Sequence, residues 1–310
     1  MEAGGRAGLP RGGAPRAAPG PTGGRGRGAS RSGGARLSAE LSYCAELVRN
    51  AARDRYLATL FAPAAAREAL FALYAFDHEI GKVRHLVSQP IAGLIRLQWW
   101  RDALDATASG RSPAHPVAQA IGGVLRAAAG SRGRLDAAID ARERELEDLP
   151  PADLEALERE LEGSAATIVQ SALLILGATD PSTLEVGRKV GLAVGLADRL
   201  RALDADRRRA RLRLPVAELA REGIELDAAL GEPKLEPVIR RLAARGLEHL
   251  GAARAGRSSV PAAALPALLP GTLAGESLRR ARKTGSSAAM DDPSPAAPLR
   301  LLWRHARRRF

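Results

Sequence analysis

The sequence predicts an all-α fold, and three observations carry that prediction. Alanine, leucine and arginine dominate its 310 residues, and all three are strong helix formers. Hydrophobic residues make up 45% of the chain but aromatics only 3%, so the core must be built mainly from small aliphatic side chains, and β-branched runs that would mark strands are short. Apolar residues also recur every three or four positions between proline and glycine punctuation, the period of one buried helical face. A chain of this length can bury a sizeable core. A series of helices with short connections implies one all-α domain.

Residues 1–36, "MEAGGRAGLPRGGAPRAAPGPTGGRGRGASRSGGAR", contain almost no large apolar side chain. They cannot offset their ordering entropy by burial and are expected to be a disordered basic tail. Their glycines and prolines spoil the amphipathic helix of an organelle transit peptide, and they lack a secretory apolar core. The helical domain is expected over 37–285. It opens at "LSAELSYCAELVRNAARDRYLATLF", where Ser38 is a candidate cap and Ala39 and Glu40 suit a first turn. The next helix runs from Pro63, with Leu73, Phe76, Ile80, Val83 and Val87 on one face, and Pro90 is expected to end it. "IAGLIRLQWWRDALDATASG" follows, then helices near 116–129, 134–148, 151–177 and 182–204. Beyond Leu214 and Pro215 come "VAELAREG", a helix near 234–255 and another near 261–283. Residues 286–310 are read as a Ser/Asp/Pro-rich linker and a basic helix around 298–309.

The formal charge of +12 is concentrated at the ends. Residues 1–36 hold seven arginines and one glutamate, residues 299–310 hold five arginines and no acid, and the body between them is close to neutral. Nucleic-acid recognition calls for a basic face with aromatic or motif support, so no nucleic-acid partner is expected. Basic tails suit solubility, anionic lipid headgroups or an acidic protein. The last helix sets Leu299, Leu301, Leu302 and Trp303 against Arg304, Arg307, Arg308 and Arg309, as helices lying in a membrane interface do. The one dense apolar stretch, "TIVQSALLILGA" at 167–178, is too short to span a bilayer. Cys44 is the only cysteine. It can form no internal disulfide, and the thiol is expected to be inert in a reducing compartment.

Four stretches, in their order and spacing, resemble the squalene/phytoene synthase superfamily: "ALYAFDHEIGKVR" at 72–84, "IRLQWWRDAL" at 95–104, "HPVAQAI" at 115–121 and "LADRLRALDADRRRARLRLP" at 196–215. The resemblance covers about residues 40–250. It implies an isoprenoid-synthase-like helical bundle around a central cavity, and a head-to-head prenyl transfer in which Mg²⁺ neutralises the departing pyrophosphate. Family members hold the metal with two DxxxD motifs on facing helices, because residues i and i+4 share a helix face.

Both motifs are degenerate here. Matching the first places its carboxylates at Gly81, Lys82 and His85, none of which is acidic, and Asp77 and Glu79 fall one turn earlier or on another face. His78 and His85 are seven residues apart, about 10 Å along a helix, so they cannot chelate one ion together. The second motif falls on Asp198, Ala202 and Asp206. Its outer members stand about 12 Å apart, too far to serve one Mg²⁺. Asp206 is the one metal ligand candidate should the chain be an enzyme. Arg201 and Arg211 match the motif's basic positions and are candidates for phosphate or lipid binding, whereas Arg213 stands where the family has tyrosine.

Other features have ordinary explanations as well as functional ones. Trp99 and Trp100 suit core packing, with Leu97, Trp100 and Leu104 on one face. Asp102 and Asp105 could imitate a metal pair, but Arg101 beside them favours surface pairing. Gly187, Gly191 and Gly195 allow either close helix approach or room for a prenyl-sized chain.

A kept scaffold with lost carboxylates resembles one branch of the superfamily, the complex I assembly factors. Three stretches carry this likeness: Ala75 to Arg84, Ile95 to Leu104 and Ala141 to Pro150. It implies a non-catalytic protein that assists assembly of respiratory NADH dehydrogenase at a membrane surface, with complex I subunits or other assembly factors as partners. An anionic lipid or isoprenoid is a further ligand candidate. No cofactor is then expected, and the place of action would be the cytoplasmic side of a bacterial inner membrane, or the matrix side in a mitochondrion. The alternative is a Mg²⁺-dependent prenyl transferase acting on farnesyl or geranylgeranyl diphosphate.

Overall fold

The first helix of the computed structural model starts where a serine can satisfy its free amides. Ser42 Oγ accepts a hydrogen bond from the Ala45 N–H at 3.1 Å and caps α1 (Tyr43–Ala51). The structure describes residues 41–128, 130–225, 235–290 and 296–310. Ser38, Ala39, Glu40 and the predicted tail at 1–36 therefore lie outside the described residues. The long first segment breaks at Ala52, and a short α2 (Arg53–Thr59) follows.

Next comes α3 (Ala64–Leu86), whose Leu73, Phe76, Ile80 and Val83 are buried as the periodicity predicts. Pro90 does not end this helix. It closes earlier, at Leu86, and Pro90 occupies the first turn of α4 (Pro90–Ala108), where the missing N–H costs nothing. The sequence shows a proline between two helices, and either side of it is sterically acceptable.

Helices α5 (Pro116–Ala127) and α6 (Ser131–Arg144) follow, with a 3₁₀ turn over Glu145–Glu147. The single helix predicted over 151–177 is three pieces: α7 (Leu154–Leu161), capped by Asp153, a π-helical stretch Glu162–Ala166, and α8 (Thr167–Ile175). Opposite lies α9 (Pro181–Arg208), the longest helix described. The remaining helices are α10 (Val216–Ala220), α11 (Glu236–Ala255), α12 (Leu265–Leu268), α13 (Pro270–Thr284) and α14 (Ala297–Ala306). No strand occurs among the described residues.

Leu41–Phe310 forms one compact unit with α9 through its core, packed by α8, the π segment, α11 and α13. Small residues permit the closest approach. A Cβ on Gly191 would lie 2.9 Å from the backbone nitrogen of Ala166, and one on Gly187 would collide with Leu173. The glycine stripe thus seats α9 against the π segment and α8. Trp100 is buried edge-on to Phe76, but Trp99 is 42% exposed, because consecutive side chains on a helix point about 100° apart. Arg101 does not pair with its neighbours Asp102 and Asp105 either. It reaches across to Asp140 and Glu143 of α6, while Asp105 is held by Arg132.

Candidate functional site

The pocket grows from the inner faces of α2, α3, α6 and α9. It is a cavity of about 450 Å³ lined by both degenerate motifs: Gly81, Lys82 and His85 from α3, and Asp198, Arg201, Ala202 and Asp206 from α9. The structure thus brings together residues that lie more than a hundred positions apart. Gly195 and the π-segment residues Ser164 and Ala165 contribute part of the wall.

Arg55, Arg142, Arg199 and Arg213 govern its electrostatics, and of these only Arg213 stands out in the sequence. Asp77 is buried, its Oδ2 accepting from Arg55 Nη1 and its Oδ1 from Arg142 Nη2 at 3.0 Å. Burial alone would raise the carboxyl, but the two guanidinium groups outweigh it and hold Asp77 below the usual carboxylate range. Arg142 also donates to both oxygens of Glu145 at 3.0 and 3.1 Å. Burial opposes ionisation of Glu145 as well, and Arg142, Arg199 and Arg213 overcome it. Arg213 is buried, donating to the Glu145 carbonyl at 3.1 Å and to Glu160 at 2.7 Å. Arg199 lies within 3.8 Å of Glu145 and 3.7 Å of Glu160.

The motif residues divide accordingly. Lys82 is paired with Glu79 at 2.6 Å. Burial lowers the pKa of His78 and His85, with Arg84 the next cause at His85, so both imidazoles are neutral near neutral pH. Asp198 is paired with Arg201 and lies 3.6 Å from Arg55. Asp206 is buried, with Oδ1 3.9 Å from Arg84 and no hydrogen-bond donor on that atom. Arg211 is outside the cavity wall. It pairs with Asp148 at 3.2 Å and donates to the Arg84 carbonyl at 2.9 Å, latching the end of α3 to the loop after α9. No cluster of three His, Cys, Asp or Glu side chains among the described residues could hold a metal ion. The side chains present therefore do not fit a Mg²⁺ cluster, which needs carboxylate oxygens gathered around it.

The sequence profile of squalene/phytoene synthases matches residues 48–304. The chain belongs to the squalene/phytoene synthase family. It is 30% identical over 230 residues to NADH dehydrogenase (ubiquinone) complex I, assembly factor 6 of Bos taurus, covering 73% of this chain and 69% of that protein. It is 27% identical over 202 residues to the presqualene diphosphate synthase of Rhodopseudomonas palustris, covering 64% and 72%. A crystal structure of a dehydrosqualene synthase superposes with a TM-score of 0.73 at 18% identity, covering 86% of this chain and 94% of the other. The isoprenoid-synthase-like helical fold and the membership of a family that contains assembly factors as well as synthases both follow.

Within this family member, the three stretches that carry the branch likeness exchange ion pairs with one another. Asp77 and Arg84 of the first pair with Arg142 and Asp148 of the third, and Arg101 of the second pairs with Glu143 of the third. That these stretches are partners is a property of the fold, not of their order in the sequence. The available signal was complementary charge: "DHEIGKVR" and "ARERELED" each carry both signs at helical spacing.

Proposed function

We propose that this protein assists assembly of respiratory NADH dehydrogenase as a non-catalytic family member, working at the membrane surface, with its pocket serving for binding. One observation carries the reading. The buried carboxylates Asp77 and Glu145 of the pocket are already held by arginines, and the first motif offers Gly81, Lys82 and His85 in place of acids. A guanidinium fork fills the acceptor sites that a metal would use. The named function of the assembly factor 6 relatives supports the same reading. Among the described residues no helix is long and apolar enough to cross a membrane, which is compatible with peripheral attachment.

The alternative reading, a Mg²⁺-dependent prenyl transferase on farnesyl or geranylgeranyl diphosphate, is favoured by Asp206, whose buried Oδ1 has no donor, and by the named activities of the synthase relatives. Incubating the purified protein with Mg²⁺ and each diphosphate separates the two. No pyrophosphate release is expected. Release that Asp206→Ala abolishes would overturn the non-catalytic reading. Deleting the gene is expected to lower mature NADH dehydrogenase while leaving isoprenoids unchanged.

A further inference from the structure

The second concentration of charge lies away from the pocket, where α14 packs on α2 and α13. Leu301 is fully buried there with Ala58 and Leu269, and the His305 ring lies against Phe61. Those inward contacts fix the roll of the helix. At 100° per residue, Leu299, Leu302 and Trp303 must then face outward, and they are 68%, 54% and 46% exposed. Arg300, Arg304 and Arg307 fall along one flank of this apolar face, with the Arg304 and Arg307 guanidinium groups stacked on the Trp303 ring at 5.4 and 4.4 Å.

Arginines from other helices join that flank. A Cβ on Gly275 would sit 3.6 Å from Arg254 Nη2 and 3.7 Å from Arg279 Nη2, so the two guanidinium groups approach one another over the α11–α13 contact. Arg254 Nε donates to the main-chain oxygen of Phe310 at 3.0 Å, but its buried Nη2 has no partner. Among the described residues, Arg279, Arg304 and Arg309 have no ion pair. The nearby carboxylate, Glu276, is engaged by Arg300. Burial and mutual repulsion with Arg279 lower the pKa of Arg254 and of Arg304. This is a net positive cluster held together by the fold, in which arginines outnumber the one carboxylate Glu276, beside an apolar face turned to solvent.

We propose that Arg254, Arg279, Arg304 and Arg309 form a binding site for the phosphate of an anionic phospholipid headgroup, with Leu299, Leu302 and Trp303 entering the bilayer interface beside it. Guanidinium groups match phosphate oxygens in geometry as well as charge. An apolar face flanked by arginines is the pattern of helices that lie in the interface plane. An acidic protein surface would satisfy the charge as well, and vesicle binding separates the two.

This inference deepens the membrane-surface part of the proposed function. It is tested by co-sedimenting the full chain with phosphatidylcholine vesicles, with and without a third of phosphatidylglycerol. Binding is expected only to the anionic vesicles and should fall with salt. Arg279→Gln with Arg304→Gln should weaken it about thirtyfold. Arg25→Gln with Arg27→Gln removes the same net charge from the basic N-terminal segment and should weaken binding less. Leu302→Asp should reduce binding with the helical circular dichroism unchanged.

Equal binding to neutral vesicles, or equal weakening by the two double variants, overturns the site. Displacement from vesicles by millimolar inorganic phosphate would identify a free-anion site and overturn the lipid assignment. If vesicles are not bound yet Arg279→Gln with Arg304→Gln lowers mature NADH dehydrogenase, the surface faces a protein and the lipid site falls. Vesicle binding that behaves as expected, together with NADH dehydrogenase that matures normally without the gene, sinks the assembly reading alone.

Discussion

Replacing Asp77 by asparagine removes the charge at the centre of the pocket while keeping the side-chain volume. Asp77 accepts from Arg55 and from Arg142, and all three side chains are at least four-fifths buried. A hydrogen bond between charged partners is worth about 1.5–3 kcal/mol, and leaving a buried charge unpaired costs about 3–5 kcal/mol. Arg142 keeps both oxygens of Glu145, whereas Arg55 retains only the longer contact to Asp198, at 3.6 Å, and the face of Tyr74, at 5.5 Å. The loss thus falls mainly on Arg55, toward the lower end of the range, about 3 kcal/mol.

Urea unfolding should show that loss at pH 7 as a lower midpoint with unchanged slope, accompanied by a fall in melting temperature of about 6 °C. The pH dependence has a definite sign. A carboxyl whose folded pKa is depressed stabilises the fold above its unfolded value, near 3.9, and the contribution is lost as pH falls through the folded value. The wild-type advantage should therefore shrink below about pH 4. Adding Arg55→Met removes the stranded charge, so the double variant should be more stable than the sum of the single losses predicts. A single-variant loss below about 1 kcal/mol at pH 7, or additive losses in the double variant, would refute the view that guanidinium forks hold this pocket together.

Gly191→Ala should destabilise the protein by at least about 1–3 kcal/mol, because the added methyl meets the Ala166 backbone and no flexible side-chain end can yield. Gly251→Ala, in a helix with open space at that position, should instead stabilise it by up to about 1 kcal/mol, and thermal melts of the pair check both signs. Ser42→Ala removes the acceptor for the Ala45 amide and should cost about 1 kcal/mol, read from urea midpoints. Cys44 is buried and its thiol is pushed up to about 11 by burial, with Glu68 and Glu79 adding to the effect. Labelling by a thiol reagent at pH 8 should therefore be slow in the native protein and fast once it is unfolded.

Local pattern made much of the fold legible. The face Leu73, Phe76, Ile80 and Val83 follows from a 3.6-residue period alone, and so does the inward set Leu97, Trp100 and Leu104. The breaks were harder to read. The π-helical Glu162–Ala166 lies within an uninterrupted helical pattern and is recognisable only from the opposite side, where α9 presents Gly191 to Ala166. Pro90 could end one helix or begin the next, and local preference does not distinguish the two.

At the site, the sequence by itself determined which positions lack carboxylates: Gly81, Lys82, His85 and Ala202 are fixed by identity, whatever the fold does with them. It also determined that the outer aspartates of the second motif stand too far apart for one ion, since helical rise is a local property. Only the tertiary structure decided what replaced the missing acids. Arg55, Arg142 and Arg199 come from three different helices and Arg213 from the loop after α9, and nothing local marks an arginine as buried. Desolvating a guanidinium is tolerable only where carboxylates from other parts of the chain meet it, and that meeting is a property of the packed helices.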